Sequence, residues 1–246
     1  MEDVLLFAAV GFAAQLVDGA LGMAYGVSAT TVLLSLGVAP AVASASVHAA
    51  EVVTTGVSGA SHWWFGNVDR ELFRRLVVPG MIGGALGAYL LASLPGETMR
   101  PLVSAYLLVM GVVILWKAVR GRPAGPDRPH RLIPLGLGGG FVDAVGGGGW
   151  GPIVASTLLG RGATPRYAIG SVNCAEFFVT ATISATFIFT IGLELWPIIA
   201  GLILGGALAA PFAAYVVQRL PDRPLMILVA VLVMLLSLRQ LLGVFA

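Results

Sequence analysis

Four acidic residues stand in stretches of this chain that are otherwise apolar: Asp18, Glu51, Asp143 and Glu176. A carboxylate is costly in such surroundings, and one kept there defaults to a functional role, as proton carrier, cation ligand or loop organiser. Their spacing repeats, since 143 − 18 = 125 and 176 − 51 = 125. Beside the second aspartate the chain reads D-A-V-G-G-G-G-W-G-P, with Gly146, Gly147, Gly148 and Gly149 in a row, then Trp150, Gly151 and Pro152. Consecutive glycines bare their N–H groups, and Pro152 suits the first turn of a helix that starts just there. Bared N–H groups at the positive end of a helix form an anion cradle that needs no buried arginine. Packing is the competing use of such glycines, because small residues let helices approach closely in lipid.

Other side chains share these stretches. His48 and Asn173 each lie three residues before a glutamate, on the same helical face. Histidine and glutamate at that spacing could hold a metal, but Asn173 at the matching place speaks against it. Without a cationic neighbour, Glu51 and Glu176 are candidates for proton or sodium coupling, or for a structural hydrogen bond between two halves. Asp18, Asp143 and His48 are coupling candidates too, with loop capping through accepted backbone N–H bonds as an equal reading for the two aspartates. Ser46, Ser171, Thr55 and Thr180 could line a path or bond to their own helices. Tyr25 and Trp150 hold equivalent places at two loop tips and could cover a site or pack.

The surroundings of these residues fix the class. Of 246 residues, 58% are hydrophobic and 11% charged, and the mean hydropathy is +0.94. That excludes an ordinary globular protein and indicates a polytopic membrane protein. The net charge of +2 is too small to point to nucleic acid. The single cysteine, Cys174, permits no intramolecular disulfide and reads as an inert buried thiol. Met1-Glu2-Asp3 lacks the basic start of a cleaved leader, so the first apolar run is expected to belong to the mature protein. No phosphate-binding loop, catalytic triad or cysteine–histidine cluster occurs, which argues against an enzyme, a cofactor or a metal centre.

In chain order, the run Val4–Val17 is too short to span a bilayer and is expected to break at Asp18. Gly22 and Gly26 follow, and a second short run reaches Gly37. Longer runs over Ala41–Trp64, Leu72–Leu94 and Pro101–Lys117 are each expected to cross, with Trp63, Trp64 and Phe65 at an interface. A hydrophilic stretch rich in proline, glycine and arginine, 120–131, serves as a linker. The same succession then recurs: Leu132–Val142, the glycine break, a short run to Leu159, a turn over 161–166, and spans at Tyr167–Phe189, Leu195–Val217 and Leu225–Leu242. The offset of 125 also pairs Gly11 with Gly136, Gly22 with Gly147, Gly26 with Gly151, Pro40 with Pro165 and Ser46 with Ser171. This is an internal duplication.

Basic residues orient the halves. Arg70, Arg74 and Arg75, the linker arginines, Arg161 with Arg166, and Arg219 with Arg223 all belong in the cytoplasm, whereas the Glu194 loop belongs outside. Both ends of 132–162 then fall on one side, so each half holds a re-entrant pair of short helices plus three crossings. The expected fold is an all-α polytopic membrane protein of two inverted repeats, residues 1–119 and 132–246, joined by the linker. Inverted repeats with broken helices point to a secondary transporter with its site near mid-membrane. Irregular backbone survives at that depth only where it is buried or lines water. An uncoupled channel and a membrane subunit dependent on a metal ion or partner are the alternatives.

Three motifs carry a resemblance: G-F-A-A-Q-L-V-D-G-A-L-G-M-A-Y-G-V-S from Gly11, G-G-F-V-D-A-V-G-G-G-G-W-G-P from Gly139, and A-I-G-S-V-N from Ala168. Together they resemble the sulfite exporter TauE/SafE family of membrane permeases, over nearly the whole chain. The resemblance implies movement of sulfur-containing anions such as sulfite, sulfonates or sulfoacetate across the bacterial inner membrane, usually outward. Met23 and Ala24, beside Tyr25, stand where the second repeat has Gly148 and Gly149, so the second loop is the expected main substrate site. The expected partners are thus a small anion and the lipid bilayer, with H+ or Na+ as coupling ion and no cofactor. Oligomeric state, substrate identity and direction are not legible in these residues.

Overall fold

The computed structural model describes residues 2–21, 24–120, 131–161, 163–192, 196–217 and 222–245. Gly22, Gly162, Glu194, Arg219 and the linker residues 121–130 lie outside the described residues. The first half holds α1 (Glu2–Leu21), α2 (Tyr25–Ser35), α3 (Pro40–Trp64), α4 (Arg70–Ser93) and α5 (Gly96–Arg120). In the second half come α6 (Leu132–Gly146) and α7, a π-helical turn over Gly151–Ala155 that runs on as Ser156–Gly160. They are followed by α8 (Pro165–Ile191), α9 (Trp196–Val217) and α10 (Asp222–Phe245). No strand occurs among the described residues.

Local chemistry sets the ends of these helices. Asp69 caps α4, its Oδ1 accepting from the N–H groups of Glu71 (2.9 Å) and Leu72 (3.1 Å). Gly37 takes a left-handed turn at φ +91° after α2, and Pro40 opens α3. Lys117 and Arg120 close α5, where cations suit the negative end of a helix.

Two expected breaks move. The first helix runs through Asp18 to Leu21, and the second runs through Asp143 to Gly146. Each aspartate turns its side chain forward across the following loop, so neither interrupts its own helix. The second break is correspondingly narrow, Gly147 to Gly149, with Gly151 and Pro152 already in the π-helical turn.

Four described stretches are long and apolar enough to cross a membrane: Arg70–Ser93, Gly96–Arg120, Tyr167–Ile191 and Met226–Gly243. Val4–Leu16, Leu132–Gly146 and Trp196–Ala209 are shorter apolar helices. At 25 residues α3 has the length, yet serines, threonines, His48 and Glu51 keep it from being apolar enough. Those residues are largely turned inward, for Ser44, Ser46, His48, Glu51 and Thr55 are all buried. Large apolar side chains such as Leu5, Leu86, Val109, Phe189, Leu204 and Leu235 cover the outside instead, as a lipid-facing surface requires. The chain is an all-α polytopic membrane protein.

Helices pair across the two halves rather than within them. α1 packs on α9 and α4 on α6, while α3 crosses α8 and α5 lies along α10. Under the 125-residue offset α1 corresponds to α6 and α4 to α9, so exchanging the halves maps these pairings onto one another. Glycine makes the contacts close. A methyl on Gly11 would fall 2.5 Å from the carbonyl oxygen of Leu202, and one on Gly136 would fall 2.9 Å from that of Leu76.

Candidate functional site

Each break is bridged by its aspartate in the same way. Asp18 Oδ1 accepts from the N–H of Tyr25 at 3.2 Å, and Asp143 Oδ1 from the N–H of Trp150 at 2.9 Å. Donor and acceptor lie seven residues apart in both, so the capping role is present twice. The two tips touch at the centre of the molecule. A methyl on Gly26 would fall 2.6 Å from Gly148 Cα, and one on Gly148 would run into the backbone of Gly26 and Val27. Gly147 at φ +67° and Gly148 at φ +146° take backbone shapes that side chains disfavour.

Side chains of the first half brace the second tip. Thr30 Oγ1 donates to the carbonyl of Gly147, Ser44 Oγ to that of Ala144 (2.6 Å) and Tyr106 Oη to that of Gly148 (2.8 Å). Lys117 Nζ donates to the Pro152 carbonyl at 2.9 Å. Sequence reasoning missed all four. The counterparts of Thr30 and Ser44 are Ala155 and Ile169, so the repeat carries no signal for them.

His48 supplies a fifth support. Its Nδ1 lies 2.8 Å from the Ser44 carbonyl, which only accepts, so Nδ1 carries hydrogen. Its Nε2 lies 3.3 Å from Asp143 Oδ2.

Between the tips lies a cavity of about 250 Å³. Five pairs related by the offset line its middle: Asp18 and Asp143, Ala24 and Gly149, Gly26 and Gly151, Val27 and Pro152, Glu51 and Glu176. All four carboxylates singled out by sequence therefore meet in one space. Tyr25, Gly148 and Asn173 line it too, as do Gln15, Thr54, Thr55, Ser58, His62 and Ile169. Gln15 lies in the first motif but is not singled out there, no motif covers Thr54 or Ser58, and His62 has no role legible in the sequence. No lysine or arginine is among the described lining residues. Asp143 has the His48 imidazole beside it, whereas Asp18, Glu51 and Glu176 face the cavity without a cationic partner among the described residues.

Other predicted residues sit outside the cavity. The Trp150 ring is fully buried beneath Gly80 and Gly139, and its Nε1 donates to the Val172 carbonyl at 3.2 Å. Gly146 lies against the Tyr106 ring and Gly147 against Thr30, behind the tip. Ser46 bonds back to Val42 and Ser171 to the backbone of Asp69. Gly22 lies outside the described residues. No three histidine, cysteine or acidic side chains are placed to hold a metal ion among the described residues.

The chain matches the family described as sulfite exporter TauE/SafE over residues 7–240. It is 43% identical over 252 residues to the probable membrane transporter protein YtnM of Bacillus subtilis (strain 168), covering 99% of this chain and 84% of that protein. No solved structure matches it. A cavity at the contact of two broken helices and a match spanning nearly every helix agree: the chain belongs to the sulfite exporter TauE/SafE family of membrane transporters.

Proposed function

We propose that this transporter moves small sulfur-containing anions, such as sulfite, sulfonates or sulfoacetate, outward across the bacterial inner membrane by alternating access. The chain permeates its substrate and transforms nothing. One observation carries the reading: the two glycine tips and the four repeat-related carboxylates share a single cavity with no lysine or arginine among its described lining residues. With the N–H groups of Tyr25, Gly148 and Trp150 already given to Asp18 and Asp143, and the Thr54 and Thr55 hydroxyls to the Glu51 carbonyl, the remaining tip N–H groups and the Asn173 and Gln15 amides are the donors left for an oxyanion. Three uncompensated carboxylates repel that anion unless positive charge enters with it, and a proton or a sodium ion is that charge. The electrostatics of the wall thus support coupling. The pairing of helices across the halves supports the inverted-repeat arrangement on which alternating access would turn, with residues 1–119 moving against 132–246.

Flux and binding in proteoliposomes test this. The anion should be a sulfonate, whose own charge does not change near neutral pH, alongside sulfite. If protons are the coupling ion, binding tightens as pH falls, by about tenfold per pH unit for each proton taken up. Affinity and flux indifferent to both pH and sodium would make the protein an uncoupled channel. Absence of flux for every sulfur anion tried would remove the substrate class.

A further inference from the structure

The cavity is symmetric at its centre and one-sided at its edge. Beyond the five central pairs, it extends along Ser58 and His62 of α3 and Asn173 of α8. The 125-residue counterparts of these three are Ile183, Phe187 and His48, and all are fully buried. The two helices cross antiparallel. Thr55 and Thr180 meet at 3.4 Å, and a methyl on Gly59 would fall 3.2 Å from Cys174 Cα. This register puts His62 level with Asn173 at one end of the crossing and His48 level with Phe187 at the other. Because α3 is about 37 Å long, the two ends face opposite sides of a bilayer. One end is polar and continuous with the cavity, while at the other the three side chains are fully buried, Ile183 against Gly84 of α4.

We propose that the layer of His48, Ile183 and Phe187 is the closed gate of a second access path, the counterpart of the open path past Ser58, His62 and Asn173. The proposal rests on the transporter reading above and assigns its gate. Phe187 fills the place that His62 holds at the open end, so an apolar ring stands where the other path has a polar one. His48 ties this layer to the substrate site, because the Asp143 it contacts also caps the second glycine tip. A rearrangement at that tip therefore reaches the gate directly.

A second observation argues against a permanent wall. Ser184, next to Ile183, is 7% exposed and its Oγ has no hydrogen-bond partner. By the same register it is level with Glu51, since 55 + 180 = 51 + 184. A hydroxyl left unsatisfied in a permanently dry wall costs about 1–3 kcal/mol with no return. In a layer that opens, water or the passing anion meets it.

Single cysteines at positions 58 and 183 in a C174A background, reconstituted in vesicles, test the gate with a charged, membrane-impermeant maleimide applied from either face. At rest S58C labels from one face, and I183C labels from neither at a comparable rate. Under turnover driven by a gradient of sulfoacetate, which unlike sulfite does not add to maleimide, I183C labelling from the opposite face rises by about tenfold or more, as expected when a minor state becomes populated, and S58C labelling falls. Adding F187A raises I183C labelling from that opposite face without a gradient, with retained S58C labelling showing that the variant is folded. Labelling of both cysteines from one face, or unchanged labelling at both during measurable sulfoacetate flux, overturns the gate. Absence of sulfoacetate flux in the parent vesicles overturns sulfoacetate as substrate instead, and F187A then decides the gate alone. There, unchanged I183C labelling overturns it.

Discussion

At the scale of residues, equivalent positions in the two halves do different work. Asp143 spends both oxygens, one on the Trp150 N–H and one facing His48, whereas Asp18 bonds Tyr25 through one oxygen and turns to the cavity. Asn173, at the place of His48, bonds back to Ile169 and also faces the cavity. Glu51 and Glu176 remain alike, both in the wall, each within electrostatic reach of Asp18 and Asp143. Under the proposed proton coupling, they are the groups from which the proton would come and go. Replacing either with glutamine removes one exchangeable proton while keeping size and hydrogen-bonding reach. Sulfonate binding to E51Q or E176Q should lose its pH slope by up to one proton, so that affinity changes about tenfold less per pH unit than in the parent. The double variant should lose up to two protons of slope, leaving only what Asp18 contributes. An isothermal titration series across pH decides this, and an unaltered slope in the double variant would clear both residues of coupling.

At the scale of elements, the second tip is a rigid loop held by its neighbours. Gly148 combines φ +146° with backbone contact to Gly26 and Val27, so a methyl there meets both torsional strain and main chain that cannot yield. G148A should abolish flux while leaving the protein inserted. G138A, in α6 where a methyl meets nothing within 4 Å, should keep flux and stabilise by up to about 1 kcal/mol. Comparing the pair by flux and by thermal unfolding separates the tip from glycine replacement in general. Y106F tests the brace: losing the hydrogen bond to the Gly148 carbonyl should cost about 1 kcal/mol and weaken substrate binding, with the fold intact by the same unfolding assay.

Much of this scale is legible in the sequence. The repeat announces both breaks, both aspartates and both glutamates, because a duplicated polar residue in an apolar run leaves a mark. Helix ends at the tips fall later than the sequence suggests, since an aspartate that caps across a loop looks the same as one that stops a helix. The braces are hidden for a different reason. Thr30, Ser44, Tyr106 and Lys117 act across 35 to 117 residues of chain and have no duplicate role, so neither periodicity nor offset can pick them out. The same blindness applies to Trp150, whose indole is indistinguishable in sequence from one lining a site but packs under Gly80.

At the scale of the whole molecule, the halves are two in sequence but one in packing. α1 finds its main partner in α9 and α6 finds its in α4, while the tips meet across the centre, so neither half can bury its own small-residue faces. Sequence locates the duplication, yet it cannot show this exchange, because a stripe of glycine and alanine fits any close partner. The exchange has a measurable consequence. A polypeptide of residues 1–120 alone should insert but remain sensitive to protease and lack sulfonate binding, since α1 and α4 lack their partners. Co-expression with residues 131–246 should restore protection, co-purification and binding, because every contact described between the halves is non-covalent and none requires the intervening chain. The interface should also be sensitive at its closest points: leucine at Gly11 or Gly205, where a methyl already meets the backbone of the facing helix, should break co-purification of the two pieces. Independent protection of the first piece by itself would mean that each half folds as its own unit, and the shared cavity would then have to form by docking rather than by folding.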